Sequence, residues 1–165
     1  ELVSGYLLGT VVKQLRSAYD YVIIDTAVTF NEVTIAALDA ADTVVVVTAL
    51  DLPAVKNAKL ALEILQSLGY AAEKIKLVIN SVHSEGGIEP REVQESLKKE
   101  IVLTLPTDGK TVVNSINKGV PFCLTQPETL LSQKVMALAD QLASWNPDAT
   151  SSPPKTGLRF KLFGR

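Results

Sequence analysis

With 165 residues, 47% of them hydrophobic, and a net charge of −2 at pH 7, the chain has the size and apolar content of one folded domain with a substantial core, which excludes a disordered chain. The near-neutral balance supplies no global basic field, so no direct nucleic-acid partner is expected. No apolar run approaches the ~20 residues of a membrane-spanning helix, no secretory signal is legible, and the single cysteine, Cys123, cannot form an internal disulfide, so a cytoplasmic protein is expected.

Residues 6–18 (YLLGTVVKQLRSA) space their apolar side chains as a helix does. Tyr21-Val22-Ile23-Ile24, closed by Asp25, predicts a strand, and Asn31–Ala40 an alanine-rich helix. Thr43–Thr48 is β-branched throughout and predicts a second strand. Pro53–Leu68 starts with proline in its first turn and stops at Gly69, as helices do. Lys76–Asn80 predicts a third strand, Pro90–Lys99 a helix with a proline start, and Ile101–Leu105, stopped by Pro106, a fourth strand. Thr111–Lys118, stopped by Gly119, and Leu130–Ala143, with Leu131, Val135, Leu138 and Leu142 along one stripe, predict two more helices. The strand runs do not alternate apolar with polar, as in a parallel sheet covered on both faces. The expected fold is α/β, with a doubly wound, mostly parallel sheet incomplete at its N-terminal side. It occupies residues 1–145. A Pro/Ser/Thr/Asp-rich linker covers 146–154, and a basic, hydrophobic tail 155–165. That tail carries four cations and no acid, so the remainder of the chain is acidic.

In open α/β sheets ligands bind at the carboxyl ends of the strands. Asp25 closes the first predicted strand and can hold Mg²⁺ through a water, because that small cation keeps much of its hydration shell. Asn80 closes the third, and its amide offers both the donor and the acceptor that reading a base edge requires. Pro106-Thr107-Asp108 follows the fourth and can present backbone groups to the same base. Each has a plainer reading: Asp25 as a helix cap or turn residue, Asn80 as a turn former, Pro-x-Asp as ordinary loop sequence. His83, the only histidine, lies in a loop sequence without a second ligand. Lys56 and Lys59 on the long helix read as a solvated face.

The order of the segments YDYVIIDTAVTF, LDAADTVVVVTALDLPAVKNAKLALEIL, KLVINSV and LPTDGKTVVNSINKGVPF resembles the second half of MinD/ParA-type P-loop ATPases, of three-layer α/β/α fold. LDAADTVVVVTALDLPAVKNAKLALEILQSLG followed by IEPREVQESLKKEIVLTLPTD is more similar to the CpaE/TadZ pilus-assembly branch than to cell-division MinD. The resemblance covers about residues 6–143 and implies ATP and Mg²⁺ as cofactors. It makes Asp25 the acid that supports Mg²⁺ beside the γ-phosphate, and Thr26–Phe30 the segment that senses that phosphate. Asn80 becomes the adenine-reading residue, and Pro106, Thr107 and Asp108 the loop that borders the base. It further implies an ATP-dependent homodimer, with pilus or secretion assembly proteins as partners at the membrane.

The sequence also departs from the family. No G-x-x-x-x-G-K-[ST] loop occurs in it. The chain is therefore expected to be the C-terminal part of its ATPase and not to hydrolyse ATP alone. Thr29 stands where many members have glycine, and Ser81 where many have arginine. These departures leave a nucleotide-independent localisation scaffold of the same fold as the alternative. The tail resembles the membrane-targeting segment of MinD-like proteins: Leu158, Phe160, Leu162 and Phe163 can enter the headgroup boundary while Arg159 and Lys161, with Lys155 and Arg165, meet anionic lipid. Alternation at 158, 160 and 162 fits a strand equally well, and a solvated basic tail is the plainer reading.

Overall fold

A computed structural model describes residues 4–80 and 87–145. His83, Ser81, the linker and the tail lie outside the described residues. The described residues divide into two compact units, one of residues 4–42 and 143–145 and one of residues 43–80 and 87–142.

In the first unit, α1 (Gly5–Ala18) packs on α2 (Glu32–Ala40) and buries Val12 and Ala37. Ser4 caps α1 by accepting from the Leu7 N–H at 3.3 Å, and Asn31 caps α2 by accepting from the Thr34 N–H at 2.9 Å. Such caps satisfy donors that the first helical turn leaves free. The Gly5 N–H donates to Glu32 Oε1 at 3.1 Å, and a Cβ at Gly5 would meet the Glu32 carbonyl oxygen at the same distance. Glycine is thus the residue that lets the two helix starts touch. At the far end of the pair, Arg16 donates to the Ala40 carbonyl at 3.1 Å and to Asp42 at 3.2 Å, placing a cation at the negative end of α2.

Between these helices the structure differs from the expectation. Tyr21–Ile24 is extended but forms no strand; Tyr21 and Ile23 are exposed, Ile23 at 88%. The run has strand-forming residues, but a strand exists only where a neighbour accepts its hydrogen bonds, and among the described residues none pairs with it. Among the described residues the sheet has three strands where four were expected.

The second unit contains β1 (Val44–Thr48), α3 (Leu52–Ser67), β2 (Ile75–Asn80), α4 (Pro90–Leu97), β3 (Ile101–Leu105), α5 (Gly109–Lys118), α6 (Phe122–Thr125) and most of α7 (Leu130–Trp145). The strands are parallel in the order β1-β2-β3. Register runs from Val44 opposite Ile75 to Thr48 opposite Ile79, and a shift between Leu77 and Val78 precedes the pairing of Val78 with Leu103. The expected α/β class with a parallel sheet and flanking helices is the class observed. Leu77, Val78 and Ile79 are at most 1% exposed. Successive strand residues point to opposite faces, so both faces of the sheet are covered at its middle strand. On one face Leu77 and Ile79 join Val55 and Ala58 of α3 and Val93 and Leu97 of α4 in a single core cluster.

Helix ends follow their sequence signals. Asp51 accepts from the Ala54 N–H at 2.8 Å to start α3, and Gly69 and Gly119 take positive φ after α3 and α5. Lys98 ends α4 at φ 50°, a left-handed position that a side-chain-bearing residue occupies at some cost. The short α6 was not expected, because FCLT carries no periodic apolar pattern of its own.

Candidate functional site

β2 ends at Asn80, and the register sets Asn80 opposite Leu105, the last residue of β3. Neighbouring strands lie about 4.8 Å apart, so Asn80 sits one strand away from the start of the Pro106-Thr107-Asp108 turn. The structure therefore brings the expected base-reading amide and the expected base-bordering turn together at one carboxyl edge. Asn80 and Thr107 are exposed, and Pro106 and Asp108 half-buried.

The turn is held by a chain of hydrogen bonds. Asp108 caps α5, its carboxylate accepting from the Thr111 N–H at 3.0 Å. The Thr111 side chain and backbone hold the Asp108 carboxyl below its ordinary value, with Lys110 adding a smaller push in the same direction against a burial effect that opposes it. The buried Thr111 hydroxyl bonds Gln126 Oε1 at 3.0 Å, and the Gln126 carbonyl accepts from the wholly buried Ser132 hydroxyl at 2.6 Å. Thr129 caps the start of α7, its hydroxyl accepting from the Ser132 N–H at 3.3 Å. Sequence reasoning missed Gln126, Thr129 and Ser132. A threonine directly before the apolar run of α7 is the signal that could have marked Thr129 as its cap.

Asp25 and Thr26 belong to the other unit, where both are exposed in the extended segment between α1 and α2. Asp25 does not close a strand as expected. Among the described residues no group of three or more His, Cys, Asp or Glu gathers to hold a metal directly. A lone exposed carboxylate such as Asp25 suits contact with Mg²⁺ through water and not a protein cage.

The amino ends of β2 and β3 carry a shallow cleft of about 230 Å³ whose lining includes Glu73, Lys76, Lys99 and Glu100. The Lys99 ammonium donates to the Ala72 carbonyl, and burial followed by repulsion from Lys76 lowers its pKa. Its two cations face two anions, so the cleft presents no net charge to a ligand, and it lies at the opposite end of the strands from Asn80.

Residues 2–81 match the family model described as an AAA domain. The septum site-determining protein MinD of Thermotoga maritima is 29% identical over 129 residues, 75% of this chain and 47% of that protein. These matches support the MinD/ParA P-loop ATPase superfamily. Two solved structures have the same fold at 20% identity. A ParA family ATPase from Chlorobium tepidum superposes with a TM-score of 0.77 over 83% of this chain and 57% of its own. MinD from Pyrococcus horikoshii, complexed with Mg-ADP, superposes with 0.74 over 90% of this chain and 60% of its own. The chain spans about half the length of the curated MinD relatives it matches, 47% and 46% for the first two.

Proposed function

We propose that this chain supplies the base-reading half of a MinD/ParA-type ATPase of the CpaE/TadZ branch, which binds ATP and Mg²⁺, dimerises, and localises pilus or secretion assembly machinery at the membrane. The observation that carries the reading is the register of Asn80 with Leu105, which sets a donor–acceptor amide beside the Pro106–Asp108 turn at the carboxyl edge of a parallel sheet. The residues fit the cofactor in kind. Asn80 offers the two hydrogen-bonding groups an adenine edge needs. The capped turn at Asp108 gives that edge a fixed border. Asp25, with Thr26 beside it, offers an exposed carboxylate of the kind that supports Mg²⁺ through a water. When bound, the nucleotide supplies the phosphate that is sensed or cleaved; the chain's own residues orient the base and support the ion.

The sequence contains no glycine-rich lysine loop to cradle phosphates, so the chain alone is not expected to hydrolyse ATP. Thr29 in place of glycine favours a second reading, a nucleotide-independent localisation scaffold, because a side chain there hinders close backbone approach to a γ-phosphate. Titration of the intact protein with labelled ATP and Mg²⁺ separates the two. Saturable binding that weakens about tenfold or more in Asn80→Ala, and whose Mg²⁺ dependence is lost in Asp25→Ala, supports the switch. Absence of binding supports the scaffold.

The membrane part of the reading rests on the tail. Leu158, Phe160, Leu162 and Phe163 supply apolar contact, and the four cations each add ~1 kcal/mol near an anionic surface. Among the described residues no helix is long and apolar enough to cross a membrane; the attachment proposed is peripheral, through the tail. Flotation with anionic liposomes is expected to fall sharply when residues 155–165 are removed; equal flotation of both chains would remove the membrane claim.

A further inference from the structure

The Pro106–Asp108 turn is as steady as the helix that follows it. Asp108 accepts from the Thr111 N–H at 3.0 Å through its carboxylate and from the Val112 N–H at 3.1 Å through its backbone carbonyl, so the turn and the first coil of α5 move as one body. Little apolar contact seats that body. Of the residues of α5 only Thr111 is buried, at 5% exposed. Val113 and Ile116 are 55% and 72% exposed, and Val112 is half-buried. An amphipathic helix ordinarily buries such residues to hold its place. The start of α5 is held instead by a polar side chain, and a buried hydroxyl needs a partner inside the protein.

Gln126 is that partner. The Thr111 hydroxyl donates to its Oε1 at 3.0 Å. The Gln126 backbone is itself fixed from both sides. Its N–H donates to the Phe122 carbonyl at 2.7 Å, and its carbonyl accepts from the Ser132 hydroxyl at 2.6 Å and from the Thr129 N–H at 3.3 Å. The junction between α6 and α7 thus reaches across to α5 through one side-chain amide. We infer that Gln126 and Thr111 are positioning residues for the base: their hydrogen bond holds the Pro106–Asp108 turn in place beside Asn80. That role rests on the nucleotide reading above and extends it to two residues away from the strand edge. Without the bond the turn samples other positions, and a base that needs one of them binds more weakly in proportion to the time lost. Phosphate contacts are made elsewhere and do not share the loss.

The test titrates labelled ATP with Mg²⁺ into the intact protein and displaces it with inorganic tripolyphosphate, which has phosphates and no base. Thr111→Val keeps the side chain's shape and loses the hydroxyl, while Gln126→Leu loses the acceptor. Each is expected to weaken ATP binding about tenfold and to leave the tripolyphosphate affinity unchanged. Thr111→Ser keeps the hydroxyl and is expected to bind ATP nearly as the parent does. The double variant of Thr111→Val with Gln126→Leu breaks the same bond once, so it is expected to bind no more weakly than either single variant. Melting temperatures accompany each titration, because a variant that is merely less stable loses ATP and tripolyphosphate together. Unchanged ATP affinity in Thr111→Val and Gln126→Leu, an equal loss of ATP and tripolyphosphate, a Thr111→Ser as weak as Thr111→Val, or losses that multiply in the double variant overturns the proposal. A parent that binds no ATP overturns the nucleotide reading and this role with it; a parent that binds ATP no better than its variants overturns this role alone.

Discussion

Asp108 does two things that one residue type can do at once. Its carboxylate caps α5 through the Thr111 N–H, and its backbone belongs to the turn beside Asn80. The hydrogen bonds from Thr111 favour the charged form, so its folded pKa lies below its ordinary value. A depressed carboxylate stabilises the fold at pH values above the ordinary carboxylate range, and that stabilisation is lost as pH falls through the depressed value. Asp108→Ala is therefore expected to lower the melting temperature near neutral pH, and Asp108→Asn, which keeps an acceptor, to lower it less. The gap between parent and Asp108→Asn should close on acidification below the carboxylate range; a gap that persists there would show that the charge is not what stabilises the cap. Asp108 and Asn80 were both legible as strand-end residues. The capping role was not singled out, although Asp108 three residues before Thr111 carries a cap's spacing. Gln126 and Ser132 were not legible at all, because their partners, Thr111 and the Phe122–Gln126 turn, are brought to them by folding and not by local sequence.

At the scale of elements, every α-helix but the short α6 and three of the strands follow from local pattern, with ends displaced by at most two residues. The failure is instructive. Tyr21–Ile24 and Val44–Thr48 have the same strand-forming composition, yet one forms a strand and the other does not. The difference lies in the neighbour. β2 offers β1 a parallel partner in register from Ile75 to Ile79, whereas Tyr21–Ile24 has no paired strand among the described residues. Propensity states only that a segment fits a pleated, half-buried surface; the surface must be present. Hydrogen exchange should display this contrast. Amides of Leu77, Val78 and Ile79, in the middle strand and at most 1% exposed, are expected to exchange at least about a thousandfold more slowly than those of Tyr21–Ile24. Comparable protection in the two segments would show that Tyr21–Ile24 is paired in solution.

For the molecule as a whole, the α/β class was legible because unbroken apolar strand runs alternating with helices admit few other architectures. The candidate site was legible only to the extent that it lies on consecutive elements. Asn80 and the Pro106–Asp108 turn are joined by one strand pairing within one unit, while Asp25 and Thr26 lie in the other. No periodicity in a sequence states how two units meet, so pattern alone could not join Asp25 and Thr26 to the residues of the second unit. β1 carries a last consequence of this kind. Four consecutive valines followed by a single threonine look alike to any incoming partner after a slip of one place. Such a strand has no address of its own: its alignment must be dictated by the varied neighbour Ile-Lys-Leu-Val-Ile-Asn and by the one hydroxyl at its end, Thr48, which is buried. Replacing that threonine by a fifth valine would remove the only mark distinguishing one alignment from the next.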